Sequence, residues 1–368
     1  MQIVACTLRD FRCYGEARIS LGDGLTVVSG PNGAGKTNLL EALYFGCTGR
    51  SCRTTNEREL VRFGTAATRV EIDGEDEDGA HRISVGLAPG EAKRIRLDGA
   101  PVERLVELAR RPLVSVFLPD RLALVKGPPV TRRAHLDQFV AAMWPTRVAT
   151  RRAYAQALAQ RNALVARLRS SGGPTESMRT WDMQLASHGI ALMADRTAAA
   201  ESLAERFSQL GAELGVEAPL ELEYRPRSRA VGSDELAEEL AARLESDLAR
   251  GFTTHGPHRD ELALRRDGRE LRAYGSQGEQ RLALLALLLA EREALAEHRG
   301  VAPLLLLDDV MSELDGERRR ALVQRLHASG GQAVISTTDL EHVPGARDAR
   351  VARIGVAGGR VLQEAAAA

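Results

Sequence analysis

Two short stretches carry side chains suited to a phosphorylated ligand. The first is GPNGAGKT, Gly30 to Thr37, which fits G-x-x-x-x-G-K-[ST]. It follows LTVVS and precedes NLLEALYF, so the pattern predicts a strand, a glycine-rich loop and a helix in that order. Successive N–H groups of such a loop wrap a β-phosphate, and the helix N-terminus favours negative charge. Gly30, Pro31, Asn32, Gly33, Ala34 and Gly35 supply that backbone. Lys36 reaches the β- and γ-phosphates of ATP, and the Thr37 hydroxyl is a ligand for Mg²⁺. Only three lysines stand among fifty basic residues, and one falls on the position the motif requires. The second stretch is LLLLDDV, Leu304 to Val310. Four leucines read as a buried strand ending on Asp308, placed to hold Mg²⁺ through water. Asp309 then orients or deprotonates the attacking water. Lys36, Asp308 and Asp309 are the expected catalytic residues of an ATPase.

A third stretch, YGSQGEQRL from Tyr274 to Leu282, opens a long apolar helix but puts Gly278 in its first turn. Glycine there costs about 1 kcal/mol against alanine. Ser276 and Glu279 have capping-box spacing. The box does not explain Gly278, whose missing side chain opens the helix start to an anion.

The elements that must position these residues fall into three blocks. Residues 1–115 alternate strand-like runs (IVACTLRDF, LTVVSG, TRVEIDG, HRISVGL, RIRLDG) with the helix TNLLEALYFG. Residues 116–250 are mostly helical. Tyr154, Leu158, Val165 and Leu168 mark one helical face, and Trp181, Leu185, Leu192, Leu203, Phe207 and Leu210 another. The turn formers SSGGPTES between them predict an antiparallel helical hairpin. From 251 to 368 the α/β pattern returns, with LLLLDD and QAVIST as buried parallel strands. The expected fold is an α/β ATPase head, residues 1–115 and 251–368, interrupted by a helical lobe, 116–250.

At 368 residues and 44% hydrophobic, the chain can build two domains. It has no run of 18 apolar residues and no signal-like N-terminus, which predicts a cytoplasmic protein with no membrane partner. Cys6, Cys13, Cys47 and Cys52 form no C-x-x-C pair and read as reduced thiols. Net charge is zero, but its distribution is uneven. Thr131 to Ser170 holds eight arginines (132, 133, 147, 151, 152, 161, 167 and 169) against Asp137, whereas Val231 to Asp247 holds six acids against one arginine. The basic arm suits a polyanion; its arginines could equally pair with acids inside the lobe. His255, His258 and Asp260 have metal-like spacing but no third histidine or cysteine, so a structural turn is the expectation.

The order of P-loop, long insertion, SQGEQR, LLLLDD and SELD (Ser312 to Asp315) resembles the ABC-type ATPases, with their signature motif, Walker B strand and D-loop. DFRCYGEA, TGRSCRTTNERELVRFG, LPDRLALVKGPPVTRRAHLD, THGPHRDEL, YGSQGEQR and LLLLDDVMSELDGERRRAL together resemble the RecF family. Pro128 stands where that family usually has a small residue, and His135 where it has an aromatic one. The resemblance implies an SMC/Rad50-like head whose ATP is completed in trans by Ser276, Gln277, Gly278, Glu279 and Gln280 of a second copy. It implies an ATP-dependent homodimer, slow hydrolysis, and binding to double-stranded DNA or single-strand/double-strand junctions. The partners implied are RecR, with RecO and RecA, in replication, recombination and repair of damaged DNA. Arg50, Arg53, Arg132, Arg133, Arg151 and Arg152 are the expected DNA contacts. Thr337 and Thr338 stand where transporter ATPases carry a histidine switch, which suits a slow hydrolase. A transporter subunit would also need a glutamine loop. A Rad50-type nuclease subunit would need a far longer coiled coil with a C-x-x-C hook, and an anti-phage ATPase would bring an appended nuclease domain.

Overall fold

The computed structural model describes residues 1–105, 111–118 and 122–365. Pro119, Asp120 and Arg121 of the LPDRLALVKGPPVTRRAHLD block lie outside them. The chain folds into two compact units. One comprises Met1–Arg121, Glu213–Gly215 and Arg292–Ala368, the other Leu122–Ala212 and Val216–Glu291.

The first unit holds two six-stranded sheets. One is antiparallel, built from β1 (Gln2–Phe11), β2 (Tyr14–Ser20), β4 (Thr68–Asp76), β5 (Gly79–Leu87), β6 (Arg94–Leu97) and β7 (Ala100–Pro101), in the order β2-β1-β4-β5-β6-β7. The other contains β3 (Leu25–Ser29), β8 (Val114–Phe117), β12 (Leu304–Leu307), β13 (Ala333–Thr337), β14 (Ala352–Ala357) and β15 (Arg360–Ala365), in the order β15-β14-β3-β13-β12-β8. All of its pairings are parallel except β14 with β15. Helix α1 (Lys36–Thr48) follows β3. It is buried along most of its length, including Leu39, Leu40, Leu43 and Phe45, and shares one core with Leu8, Ile19, Val70, Ile83, Leu306 and Val334. Burying about 1.5–3 kcal/mol per large apolar side chain holds it in place. The strands β3, β12 and β13 are mostly apolar and buried at almost every position because both their faces are covered.

The second unit is mainly helical: α2 (Ala123–Lys126), α3 (Pro129–Met143), α4 (Val148–Ser171), the 38-residue α5 (Glu176–Glu213), α6 (Ser233–Ala241), α7 (Leu244–Arg250), α8 (Leu271–Tyr274) and the start of α9 (Gln277–Arg299). Tyr154 and Ala157 pack on Leu185 and Leu192, while Leu164, Val165 and Leu168 pack on Met178, so α4 and α5 run antiparallel across the SSGGPTES turn. The unit also has its own antiparallel sheet: β9 (Leu220–Arg225), β10 (Glu261–Arg266) and β11 (Arg269–Glu270). The composition change near residue 250 therefore does not coincide with the return to the first unit, which comes at Arg292. Strand β10 pairs with β9, and so the signature stretch also lies in the second unit. A last helix, α10 (Gly316–Ala328), belongs to the first. Among the described residues no helix is long and apolar enough to cross a membrane.

Candidate nucleotide site and signature segment

Strand β3 ends at Ser29 and the chain turns through Gly30–Gly35 into α1. Two glycines are demanded by the protein itself. A Cβ on Gly30 would lie 2.1 Å from the Val356 carbonyl oxygen of the neighbouring strand. Gly35 has φ +114°, and its Cβ would meet Cys13 Sγ and Tyr14 Oη at 2.9 Å. Tyr14 Oη donates to the Gly35 carbonyl at 3.1 Å, tying the β1–β2 hairpin to the loop. The amides of Asn32, Gly33 and Gly35 make no hydrogen bond among the described residues, so they are available to phosphate oxygens. Lys36 is only 7% exposed, and its Nζ donates to the carbonyls of Gly30 (2.7 Å) and Pro31 (3.0 Å). Burial lowers its pKa, opposed by the carboxylates of Asp309 and Asp308. The ammonium thus stands inside the loop, facing a negative site.

Strand β13 lies between β3 and β12, which brings Asp308 to the loop. Thr37 Oγ1 donates to Asp308 Oδ2 at 2.8 Å, and Ser336 Oγ donates to Asp308 Oδ1 at 2.6 Å. The Asp309 amide in turn donates to Ser336 Oγ at 3.0 Å. Asp309 adopts φ 48°, a left-handed conformation that aspartate tolerates better than most residues. Its Oδ2 accepts from Ser312 Oγ, while its buried Oδ1 has no partner among the described residues. The donors gathered around Thr37 and Asp308 are hydroxyl and carboxylate oxygens, which suit Mg²⁺. Among the described residues no cluster of three or more His, Cys, Asp or Glu could form a protein cage. A Mg²⁺ ion here would draw its other ligands from water and phosphate, its usual habit. Ser336 escaped the sequence reading. Its signal was the polar pair Ser336 and Thr337 at the end of an apolar run.

A second cluster that sequence reasoning missed centres on Glu41, fully buried on α1. Its carboxylate accepts from Arg12 Nε and NH2 (both 2.9 Å), Ser51 Oγ (2.5 Å) and Arg53 NH1 (3.2 Å). Arg53 NH1 also reaches Asn38 Oδ1 (3.0 Å), whose Nδ2 donates to Cys13 Sγ (3.2 Å). Arg53 is therefore fixed beside the first turn of α1, while Arg50 is simply exposed.

In the second unit, Ser276 and Glu279 form the expected capping box. Glu279 Oε2 accepts from the Ser276 amide (2.8 Å), and the Glu279 amide donates to Ser276 Oγ (3.3 Å). Arg266 pairs with the other Glu279 oxygen. Ser276, Gln277 and Gly278 are exposed, and a Cβ on Gly278 would touch nothing within 4 Å. Gln280 departs from expectation. It is 2% exposed, and its Nε2 donates to the carbonyls of Leu271 (2.8 Å) and Gly275 (2.9 Å). It braces the segment from beneath and presents no side chain to a ligand.

The basic arm is less exposed than its charge count predicts. Arg132, 3% exposed, forks onto Glu261 (2.8 and 2.9 Å) and the Gly127 carbonyl, so it cannot reach DNA. Arg161 is fully buried against Asp182 (2.7 Å) and Asp247 (2.6 Å). Arg151 pairs with Asp137 (3.2 Å), which also receives Arg196. Arg133 donates to the Asp260 carbonyl (2.7 Å), and Arg152 is exposed. Charge counting could not separate core arginines from surface ones, because both types occur on the same helices. His255 pairs with Glu239 (2.5 Å). His258 Nε2 donates to the Thr253 carbonyl (2.9 Å), leaving Nδ1 to accept from Tyr154 Oη (2.8 Å). Burial lowers the His258 pKa to about 4, so the ring is neutral. Asp260 binds Tyr224, the Arg227 amide (2.7 Å) and Arg196 (3.5 Å). The histidines and Asp260 therefore hold a turn, as expected. His135 meets Glu291 (2.5 Å), and Pro128 directly precedes α3. Thr337 Oγ1 donates to the Asp339 carbonyl (2.8 Å), and its own carbonyl accepts from the Gly30 amide (3.3 Å).

Residues 2–357 match the family model of the RecF/RecN/SMC N-terminal domain. A DNA replication and repair protein RecF from Anaeromyxobacter sp. (strain Fw109-5) is 41% identical over 370 residues, covering 98% of this chain and 99% of that protein. A RecF structure with ATP, described as the recombination mediator protein in the RecFOR pathway, superposes with TM-score 0.87 at 27% identity, covering 99% of this chain and 97% of the other. An SMC head bound to the C-terminal winged-helix domain of ScpA shares the fold at TM-score 0.61 and 18% identity, covering 98% of this chain and 97% of that one.

Proposed function

The chain belongs to the RecF group of the RecF/RecN/SMC family, and from that premise we propose that it is an ATP-switched, DNA-binding recombination mediator. One observation carries the proposal. Thr37, Asp308 and Ser336, from three separate segments, meet at the mouth of a loop whose Asn32, Gly33 and Gly35 amides are unpaired among the described residues and whose lysine is buried. ATP binds through the backbone of residues 30–37 and through Lys36. Thr37 and Asp308 hold Mg²⁺, which neutralises phosphate charge. Asp309, with its unpaired Oδ1, orients the attacking water for slow hydrolysis.

The exposed Ser276–Gly278 segment completes the nucleotide of a second copy, so that ATP joins two heads and hydrolysis parts them. The braced, capped helix start supports this, because it offers amides and no side chain at Gly278. The dimer binds double-stranded DNA or single-strand/double-strand junctions in the cytoplasm and works with RecR and RecO to place RecA at gaps.

The test is fluorescence anisotropy of a labelled duplex with a single-stranded tail, at one salt concentration, with Mg²⁺-ATP and then ADP. Tighter binding with ATP is expected, and Lys36→Ala removes the difference. Unaltered nucleotide affinity in Lys36→Ala refutes the phosphate site. No DNA binding in either state refutes the function.

A further inference from the structure

With Arg132 and Arg161 committed to the core, the basic character of the second unit must be sought elsewhere. Four exposed residues cluster at one turn. The Arg259 guanidinium lies over the Phe252 ring, 5.1 Å from its centroid. Arg169 NH1 donates to the Arg250 carbonyl at 3.3 Å, and a Cβ on Gly251 would come within 2.5 Å of that same nitrogen. Arg169 and Arg259 therefore flank the Arg250–Phe252 turn, and all three arginines are exposed. None of the three pairs with a carboxylate among the described residues.

The nearby acids are engaged elsewhere. Asp247 is taken by Arg161, Asp260 by Tyr224 and Arg196, Glu261 by Arg132 and Glu239 by His255. Glu245 on α7 is the acid left closest in sequence. Behind the turn, half-buried Arg133 bonds only a carbonyl. Burial lowers its pKa and the charge of Arg196 adds to this, opposed by the carboxylates of Asp260 and Glu261, with Arg259 lowering it a little further. The three exposed arginines thus present positive charge that no carboxylate among the described residues pairs with, and an anion can meet it. Stacking on Phe252 also orders the Arg259 fork, which then loses less freedom on engaging phosphate oxygens.

We propose that Arg169, Arg250 and Arg259, with Phe252 orienting Arg259, form a contact surface for the sugar–phosphate backbone of duplex DNA. The inference rests on the DNA-binding reading above. It moves the contact from Arg132 to side chains that lie outside the 131–170 arm, or at its end.

The experiment compares the salt dependence of duplex binding, with Mg²⁺-ATP, for the wild-type protein, Arg250→Ala/Arg259→Ala, Arg259→Lys and Arg94→Ala. Arg94 is an exposed arginine of the first unit that pairs with Glu91. Each lost phosphate contact lowers the slope of log K against log salt by about 0.9, so the double variant loses about 2 and binds ~50-fold more weakly near 0.1 M salt. Arg259→Lys keeps the charge and the slope, and Arg94→Ala changes neither. ATP affinity is the same in all four. An unchanged slope in the double variant, with ATP-dependent DNA binding intact, overturns this surface while leaving the proposed function standing. An equal loss in Arg94→Ala also overturns it, as a general charge effect. A wild-type protein that binds no duplex in either nucleotide state overturns both.

Discussion

Ser336→Ala deletes one oxygen and should damage the nucleotide site more than any other change of that size. The side chain is fully buried. Its hydroxyl donates to Asp308 at 2.6 Å and accepts from the Asp309 amide at 3.0 Å. The first bond is to a carboxylate, worth about 2 kcal/mol, and the second is between neutral groups, worth about 1 kcal/mol. Alanine leaves Asp308 Oδ1 and the Asp309 amide without these partners, and Asp309 is already in a left-handed conformation. A loss of about 3 kcal/mol in unfolding free energy follows, read as a lower urea midpoint at unchanged slope. The same bonds set the direction of Asp308 toward Thr37. Hydrolysis and the Mg²⁺-dependent part of ATP affinity should therefore fall, while ATP affinity in EDTA holds. Ser336→Thr, which keeps the hydroxyl, should restore most of both. A Ser336→Ala protein within about 0.5 kcal/mol of wild type, hydrolysing ATP normally, would refute the reasoning.

Three further outcomes are expected. Gly30→Ala drives a Cβ to 2.1 Å from the Val356 carbonyl, so β14 or the loop must move. A loss of about 1–3 kcal/mol and weaker ATP binding are expected by urea titration and nucleotide titration. Ser276→Arg leaves ATP binding by the monomer intact but blocks ATP-dependent dimerisation; an ATP-bound dimer in sedimentation would sink the trans role of the signature segment. His258 is held neutral in the fold with a pKa of about 4, below its unfolded value of about 6.5. The unfolded chain therefore binds a proton that the folded chain refuses. Stability is fully present above pH 6.5 and is lost as pH falls toward 4, by up to about 1.4 kcal/mol per pH unit. His258→Gln should flatten this part of a pH series of urea midpoints, and an unchanged profile would contradict it.

The P-loop, the Walker B strand and the capping box were legible from sequence because each is local. A glycine-rich turn between strand and helix, four leucines before two aspartates, or a serine three residues before a glutamate states its geometry within one short segment. The helical hairpin was equally plain, since its apolar spacing and its turn formers are contiguous. What the sequence could not decide was which charges face inward. Arg132, Arg161 and Arg196 look like Arg169, Arg250 and Arg259 in composition, yet the former are buried on Glu261, Asp182, Asp247 and Asp137, partners 21 to 129 residues away. The same holds for Glu41, Gln280 and Ser336, whose roles depend on neighbours supplied by other segments or by the shape of the turn beneath them. Burying a charge is costly unless a specific partner meets it, and only the folded chain brings distant partners together. Sequence alone pointed to a phosphate-binding loop and to the family. The tertiary structure decided which arginines are buried on carboxylates and which remain on the surface.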